Sequence, residues 1–301
     1  MSSDRPPICD YEGSDYQIAF WEQGSRAYED QVEAVALKRL LPERGELLLE
    51  IGAGAGRNSL RYKDFKRIIL LDYSLSQLRL AQEQLGRGER YIYVAADAYN
   101  LPFLPGLFDA ATMIRTIHHM TEPELVLRQV RQVLQSGAIF IMEYANKHNL
   151  KAILRYLFRR QSWSPFSREP VEFARLNFNF HPWTVRQWLS QTDFQLERQL
   201  TVSHFRVSTL KRLVPLRWLV SLDSLAQLTG DWWQISPSVF VRARAIGVSP
   251  SNPGDIVFRC PECGCYPLEE QSAVLTCTAC KRRWAVNNGI YDFRHAEELS
   301  G

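Results

Sequence analysis

Between Glu46 and Glu143 five short apolar runs alternate with amphipathic stretches, and no other feature of the chain restricts its fold as strongly. The runs are Glu46–Ile51, Arg67–Asp72, Tyr91–Ala95, Phe108–Ile114 and Ala138–Glu143, each short enough for a strand and apolar enough to be buried on both faces. Between them, Ser74–Leu85 and Glu122–Leu134 repeat apolar residues at spacings of three and four, with Pro123 suited to a first helical turn. Strand alternating with helix predicts an α/β, doubly wound, mostly parallel sheet. Ligands of such sheets gather at the carboxyl ends of the strands.

The first strand runs directly into Glu50-Ile51-Gly52-Ala53-Gly54-Ala55-Gly56-Arg57-Asn58. Glycines there let the backbone turn sharply and approach a ligand that a β-carbon would push away. A dinucleotide fingerprint would need a third glycine where Arg57 stands, so its spacing fails. Carboxylates follow in order: Glu50 before the first glycine, Asp72 at the end of the second strand, Asp97 after the third. Three acids at three consecutive strand ends converge on one edge of the sheet.

In these residues the chain resembles the class I S-adenosylmethionine-dependent methyltransferases, closest to the large type 11 group. The likeness is carried by Glu50–Gly56, Leu71-Asp72-Tyr73-Ser74, Ala96-Asp97-Ala98 with Leu101-Pro102-Phe103, Phe108-Asp109 through Ile117-His118-His119-Met120, and Val133–Gly137. One departure is Ser136-Gly137-Ala138, where the family usually has Pro-Gly-Gly. The resemblance implies S-adenosylmethionine as cofactor, bound by Glu50, Gly52, Gly54, Gly56, Asp72, Tyr73, Asp97, Ala98 and Arg115. Asp72 would accept both ribose hydroxyls, Asp97 the adenine amino group, and Glu50 would face the positively charged amino-acid end. It implies a seven-stranded sheet and no particular acceptor.

Methyl transfer from a sulfonium is an in-line displacement, so much of the rate comes from alignment and exclusion of water. A base is needed only where the acceptor must lose a proton, and the resemblance names no catalytic residue. His118 and His119, after the fourth strand, and His181, in an aromatic segment, are the candidates for that role, with Tyr28 behind them. The packed, hydrogen-bonded alternative stays open for the His pair. Residues 1–45, with Phe20, Trp21, Arg26 and Tyr28, read as a helical cover over the cofactor or as packing on the sheet.

Five of the six cysteines lie in the last 42 residues. Cys260-Pro261-Glu262-Cys263 and Cys277-Thr278-Ala279-Cys280, 13 residues apart, supply four thiolates on two knuckles, the ligand set of a closed tetrahedral zinc site. Cys265 is left over. With Trp284 and Gly289-Ile290-Tyr291-Asp292-Phe293, the tail resembles the small zinc ribbon that activates several eukaryotic tRNA, rRNA and protein methyltransferases, here fused to the enzyme. That resemblance implies a structural zinc and a ribbon that either caps the sheet or touches substrate.

The net charge of +3 conceals a segment from Lys147 to Arg217 with 13 Lys and Arg against 4 Asp and Glu, interleaved with Trp163, Phe166, Phe173, Phe178, Phe180 and Trp183. Lys147, Lys151, Arg155 and Arg159 recur every four residues opposite Leu150, Ile153, Leu154, Leu157 and Phe158, and Leu210–Leu228 is a second amphipathic stretch. Besides a solvated face, such a segment suits a lipophilic acceptor or peripheral membrane contact, or else RNA. The composition, 46% hydrophobic and 23% charged, excludes a disordered or fibrous chain. The absence of an 18-residue apolar run excludes a transmembrane helix, and an ordinary start leads to a cytoplasmic reading.

The expected organisation is thus a cover over 1–45, a methyltransferase domain over 46–246 with insertions at 147–182 and 206–236, a Ser/Pro/Gly linker at 247–254, and a ribbon over 255–296. Two further strands are expected at Phe194–Phe205 and Ser238–Ala245. The expected function is methyl transfer to a small or lipophilic acceptor. RNA methylation and a non-catalytic cofactor-binding regulator are the alternatives.

Overall fold

The computed structural model describes residues 6–10, 12–13, 26–250 and 257–297. Phe20 and Trp21 of the expected cover, and 251–254 of the expected linker, lie outside the described residues. Strands β1 (Gly45–Ile51), β2 (Phe65–Asp72), β3 (Tyr91–Ala95), β4 (Phe108–Met113) and β5 (Leu134–Ala145) form a parallel sheet in the order β3-β2-β1-β4-β5. Strands β8 (Phe194–Val202) and β9 (Ser238–Ala245) extend it: β9 runs antiparallel to β5, and β8 antiparallel to β9.

Local chemistry explains the helices between them. Ser74 caps α2 (Leu75–Leu85), its hydroxyl accepting from the Gln77 amide, and Pro123 opens α3 (Pro123–Val133), whose Val126, Leu127, Val130 and Val133 are buried. Side chains of a strand alternate between faces, so β1 feeds two cores. Leu47, Leu49 and Ile51 pack with α3, and Leu48 packs with α2 and with α1 (Ala27–Leu40).

Seven strands are expected from the sequence; among the described residues the sheet has eleven, the additional four coming from the tail. The seven expected are contiguous within it. The correction lies at β3, whose outer edge would present a row of unpaired amides and carbonyls. The cysteine-rich tail covers that edge. Its strands β10 (Leu268–Gln271), β11 (Val274–Cys277) and β12 (Arg283–Asn287) form an antiparallel meander that ends in β13 (Ile290–Asp292). β13 pairs parallel to β3, Ile290 opposite Tyr93 and Asp292 opposite Ala95. Phe258 bridges Phe103, the Arg259 amide donates to the Pro102 carbonyl at 3.0 Å, and Leu275, Trp284 and Phe293 join the apolar core on the α3 face.

The first expected insertion takes shape as α4 (Leu150–Leu157) and the hairpin β6 (Val171–Ala174) and β7 (Asn177–Asn179), the second as α6 (Ser208–Leu213) and α7 (Leu216–Ala226), with α5 (Pro182–Gln191) between them. The single helical stretch expected from Leu210 to Leu228 is broken at Val214-Pro215, because proline has no amide to continue the ladder of α6 and its ring suits a helix start. Among the described residues no helix is long and apolar enough to cross a membrane.

Candidate active site

A cleft opens at the carboxyl ends of β1 to β4, its empty space about 810 Å³ with the open solvent at its mouth included. Ile8 and Cys9, from the N-terminal segment, form part of its wall. Gly52 and Gly54 line it after β1, Asp72 and Tyr73 at the end of β2, Asp97, Ala98 and Tyr99 after β3, and Arg115, Thr116, His119 and Met120 after β4.

The glycine loop divides three tasks among its glycines. Gly52 has φ +70°, and a β-carbon there would stand 2.1 Å from Thr116 Oγ1, so both backbone and space exclude a side chain. Gly54, at φ +53°, donates its amide to Asp72 Oδ2 at 2.8 Å. Gly56, at φ +77°, faces Leu85 and Ala81 of α2 and does not line the cleft.

Asp72 is held from both sides, since Oδ1 accepts from the Ser74 amide at 2.9 Å while Oδ2 takes Gly54. A carboxylate offers about four lone-pair sites, so two amides leave capacity for two hydroxyls. Burial raises its carboxyl above the ordinary value, and the Ser74 and Gly54 amides oppose that rise. Asp97, one strand further, accepts from the Tyr99 amide at 2.8 Å.

Glu50 stands elsewhere. It shares the face of Leu48, one residue out of phase with Ile51, and its carboxylate ends on the hydroxyls of Ser59 and Tyr62. It does not line the cleft. Burial pushes it up to about 7, with the two hydroxyls pulling down.

Arg115 does reach the cleft and is fixed by acids that the sequence reading did not single out. Its φ is +58°, its amide donates to Glu143 Oε2 at 3.0 Å, and its guanidinium bonds Glu33 Oε1 at 2.8 Å. Glu33, on α1, is fully buried and also holds Arg57 of the glycine loop at 2.7 Å. Burial alone would raise the Glu33 carboxyl, but the Arg57 and Arg115 guanidiniums outweigh it and hold it at about 2. Arg57 is further bound by Asp30. Thus α1 pins the loops after β1 and β4 together from beneath. The available signal was an acid on the buried side of α1, in line with Val32, Ala36 and Leu37, which cannot remain there without a cation.

The histidine candidates separate. His119 lines the cleft, and its Nδ1 lies 3.0 Å from the Leu176 carbonyl. A carbonyl only accepts, so Nδ1 carries the proton and Nε2 the lone pair. Burial lowers its pKa, with the Leu176 carbonyl acting the other way. His118 is half-buried outside the cleft wall, its shielded Nδ1 has no hydrogen-bond partner among the described residues, and desolvation holds its pKa well below the usual value. His181 caps α5, accepting from the Trp183 amide at 3.2 Å. Burial brings it to about 4, and it lies outside the cleft. Tyr28 donates to Asp223 at 2.6 Å and accepts from the Phe205 amide at 3.0 Å, joining α1 to α7 away from the cleft.

The Sγ atoms of Cys260, Cys263, Cys277 and Cys280 lie within 4.8 Å of one another, with Cys260–Cys280 and Cys263–Cys277 each at 3.5 Å. Four thiolates about 2.3 Å from one zinc would sit roughly 3.8 Å apart, so the set fits a tetrahedral ion that leaves no position for water. Cys265 is exposed and contributes only its carbonyl, which accepts from the Cys260 amide at 2.9 Å.

Comparison with known proteins agrees with this architecture. Residues 49–142 match the family model described as a methyltransferase domain. An O-methyltransferase of Penicillium expansum is 28% identical over 145 residues, 45% of this chain and 52% of the relative. A demethylmenaquinone methyltransferase of Clavibacter sepedonicus is 30% identical over 140 residues, 42% of this chain and 57% of the relative. The chain thus spans about half the length of the curated relatives it matches. Among solved structures, a chain from the complex of the Haloferax volcanii Trm112 methyltransferase activator with a methyltransferase superposes with a TM-score of 0.55 at 13% identity. That superposition covers 77% of this chain and 96% of the other, and is a likeness of fold. The cleft is therefore built on an α/β methyltransferase fold, with the methyltransferase-domain match running from β1 into β5.

Proposed function

We propose that the protein is an S-adenosylmethionine-dependent methyltransferase acting on a small or lipophilic acceptor, with a structural zinc on its four tail cysteines. The observation that carries this reading is the convergence of Gly52, Gly54, Asp72 and Asp97 on one cleft. Asp72 has lone pairs left for a ribose diol, Asp97 stands one strand further for an adenine amino group, and the glycine turn lets the backbone meet the ligand closely.

When bound, the cofactor would supply an electrophilic methyl group on a sulfonium. The chain's own contribution is alignment and shielding. Arg115 and the glycine loop are locked by Glu33, so the loops that would hold the cofactor are already fixed in place before it binds. Where the acceptor must shed a proton, His119 is the candidate to take it on Nε2, since His118 and His181 lie outside the cleft wall. The relatives named as O-methyltransferase and demethylmenaquinone methyltransferase support an organic small-molecule acceptor.

Isothermal titration with S-adenosylmethionine tests the reading. Asp72→Ala should weaken binding at least tenfold, about 1.4 kcal/mol, and absence of binding by the wild type would refute it. Incubation with methyl-labelled cofactor and a metabolite extract then identifies the acceptor; binding without any transfer would favour the non-catalytic reading.

A further inference from the structure

We propose that α4, α7 and the turn carrying Trp232 and Trp233 form one platform that docks the protein onto an anionic lipid bilayer. The inference stands apart from the methyl-transfer reading, because none of these residues lines the cleft.

The platform is apolar where a soluble surface is normally polar. On α4 and its C-cap, Leu150, Leu154, Leu157 and Phe158 recur at one-turn spacing and are all exposed, Phe158 at 71%. Only Ala152 of that helix is buried. On α7 the inward side chains are Leu219 and Asp223, while Trp218, Leu222 and Leu225 form an exposed stripe on the opposite side. A short 3₁₀ turn continues α7 to Trp232 and Trp233, exposed at 79% and 65%. Apolar surface of this extent marks an interaction site.

Hydrogen bonds make the pieces continuous. The Leu150 amide donates to the Ile235 carbonyl at 2.8 Å, and the Asn146 side chain donates to the Gln234 and Ser236 carbonyls at 2.8 Å. The start of α4 is therefore tied to the turn that follows the tryptophan pair.

Charge and side-chain type select the partner. Residues 150–168 contain five Lys and Arg and no Asp or Glu, and Lys151, Arg155 and Arg159 flank the α4 stripe. Between residues 207 and 233, Arg212 and Arg217 add positive charge, Asp223 is buried on Tyr28, and Asp231 accepts from the Gln199 amide. A basic rim around an apolar centre complements anionic headgroups over acyl chains, with tryptophan at the level it prefers. Two copies face to face would oppose like charges, and the exposed Leu150, Leu154, Leu157, Leu222 and Leu225 between the aromatics give acyl chains an apolar area that phosphates and base edges do not match.

Flotation of the full zinc-loaded chain with vesicles tests this. The protein should float with phosphatidylcholine vesicles containing about one-third phosphatidylglycerol and not with phosphatidylcholine alone, and salt should weaken the association. Trp232→Ser with Trp233→Ser, and separately Lys151→Glu with Arg155→Glu, should each reduce binding at least tenfold. Their urea midpoints should match the wild type, because the altered side chains are at the surface. The proposal is overturned if the wild type stays with neither vesicle, or if both variants bind as the wild type does. It is equally overturned if light scattering shows a dimer that the tryptophan variant splits while vesicle binding is absent, or if the charge variant loses RNA binding instead.

Discussion

Glu33 is the shared counter-ion of two arginines at the loops of the cleft, and its removal should be measurable in both size and pH dependence. The carboxylate is fully buried and bonds Arg57 at 2.7 Å and Arg115 at 2.8 Å. Glu33→Gln keeps the shape and deletes the charge, leaving two guanidiniums underneath the loops that form the cleft floor. Removing one member of a buried ionic group costs about 3–5 kcal/mol. The titration gives an independent figure. The carboxyl is held at about 2 in the folded protein against an ordinary 4.5. Its folded pKa is depressed, so its stabilisation is complete above 4.5 and disappears as pH falls through 2. At pH 7 the contribution is about 3.4 kcal/mol, and at pH 3.5 about 2 kcal/mol. Urea unfolding of wild type and Glu33→Gln at these two pH values should therefore show a gap that narrows by about 1.4 kcal/mol on acidification. Adding Arg115→Met to Glu33→Gln should recover part of the loss, because that guanidinium is then gone. A pH-independent gap, or a gap below about 1 kcal/mol at pH 7, would refute the claim that Glu33 is the counter-ion of this floor.

Glu50 should behave in the opposite sense: its folded pKa is raised to about 7, so wild-type stability falls between pH 4.5 and 7, and Glu50→Gln should gain on the wild type by up to about 3 kcal/mol between pH 5 and 8. Equal midpoint shifts at both pH values would show that its carboxylate is not buried as described. Gly52→Ala must adopt φ +70° and place a methyl group on Thr116, so a loss of about 2–4 kcal/mol in thermal or urea unfolding is expected, and a neutral result would mean the loop is built differently. Elemental analysis should return about one zinc per chain, and chelation should shift thermal unfolding of the whole protein downwards, because the tail closes the β3 edge. A melting curve unaffected by chelation would show that the tail does not stabilise the sheet. His119→Ala should lower turnover more than cofactor affinity, and unchanged turnover would remove the histidine as a base.

Much of the fold was legible because the information is local. Two of the seven strands, Tyr91–Ala95 and Ser238–Ala245, occupy the residues read from periodicity alone, and Ser74 and Pro123 mark helix starts by their own chemistry. Asp72 and Asp97 were legible for a related reason: a strand end is a fixed place in such a sheet, so an acid there faces the cleft. Glu50 shows the limit. It lies one residue short of the strand end, and alternation along the strand sends it to the opposite face, a signal present in Leu47, Leu49 and Ile51 but outweighed by its position beside the glycine turn.

The sequence by itself determined the alternation of the five central strands with α2 and α3, the glycine turn, the two carboxylates of the cleft and the four-thiolate set, because each depends on residues a few positions apart. Tertiary structure alone decided which histidine reaches the cleft, which buried acid on α1 meets Arg57 and Arg115, and that the cysteine tail finishes the sheet at β3. Each of those pairings joins segments tens to hundreds of residues apart, for example Tyr93 with Ile290. Spacing along the chain does not encode such contacts; they follow from which buried charge and which open strand edge can be satisfied only by a distant partner.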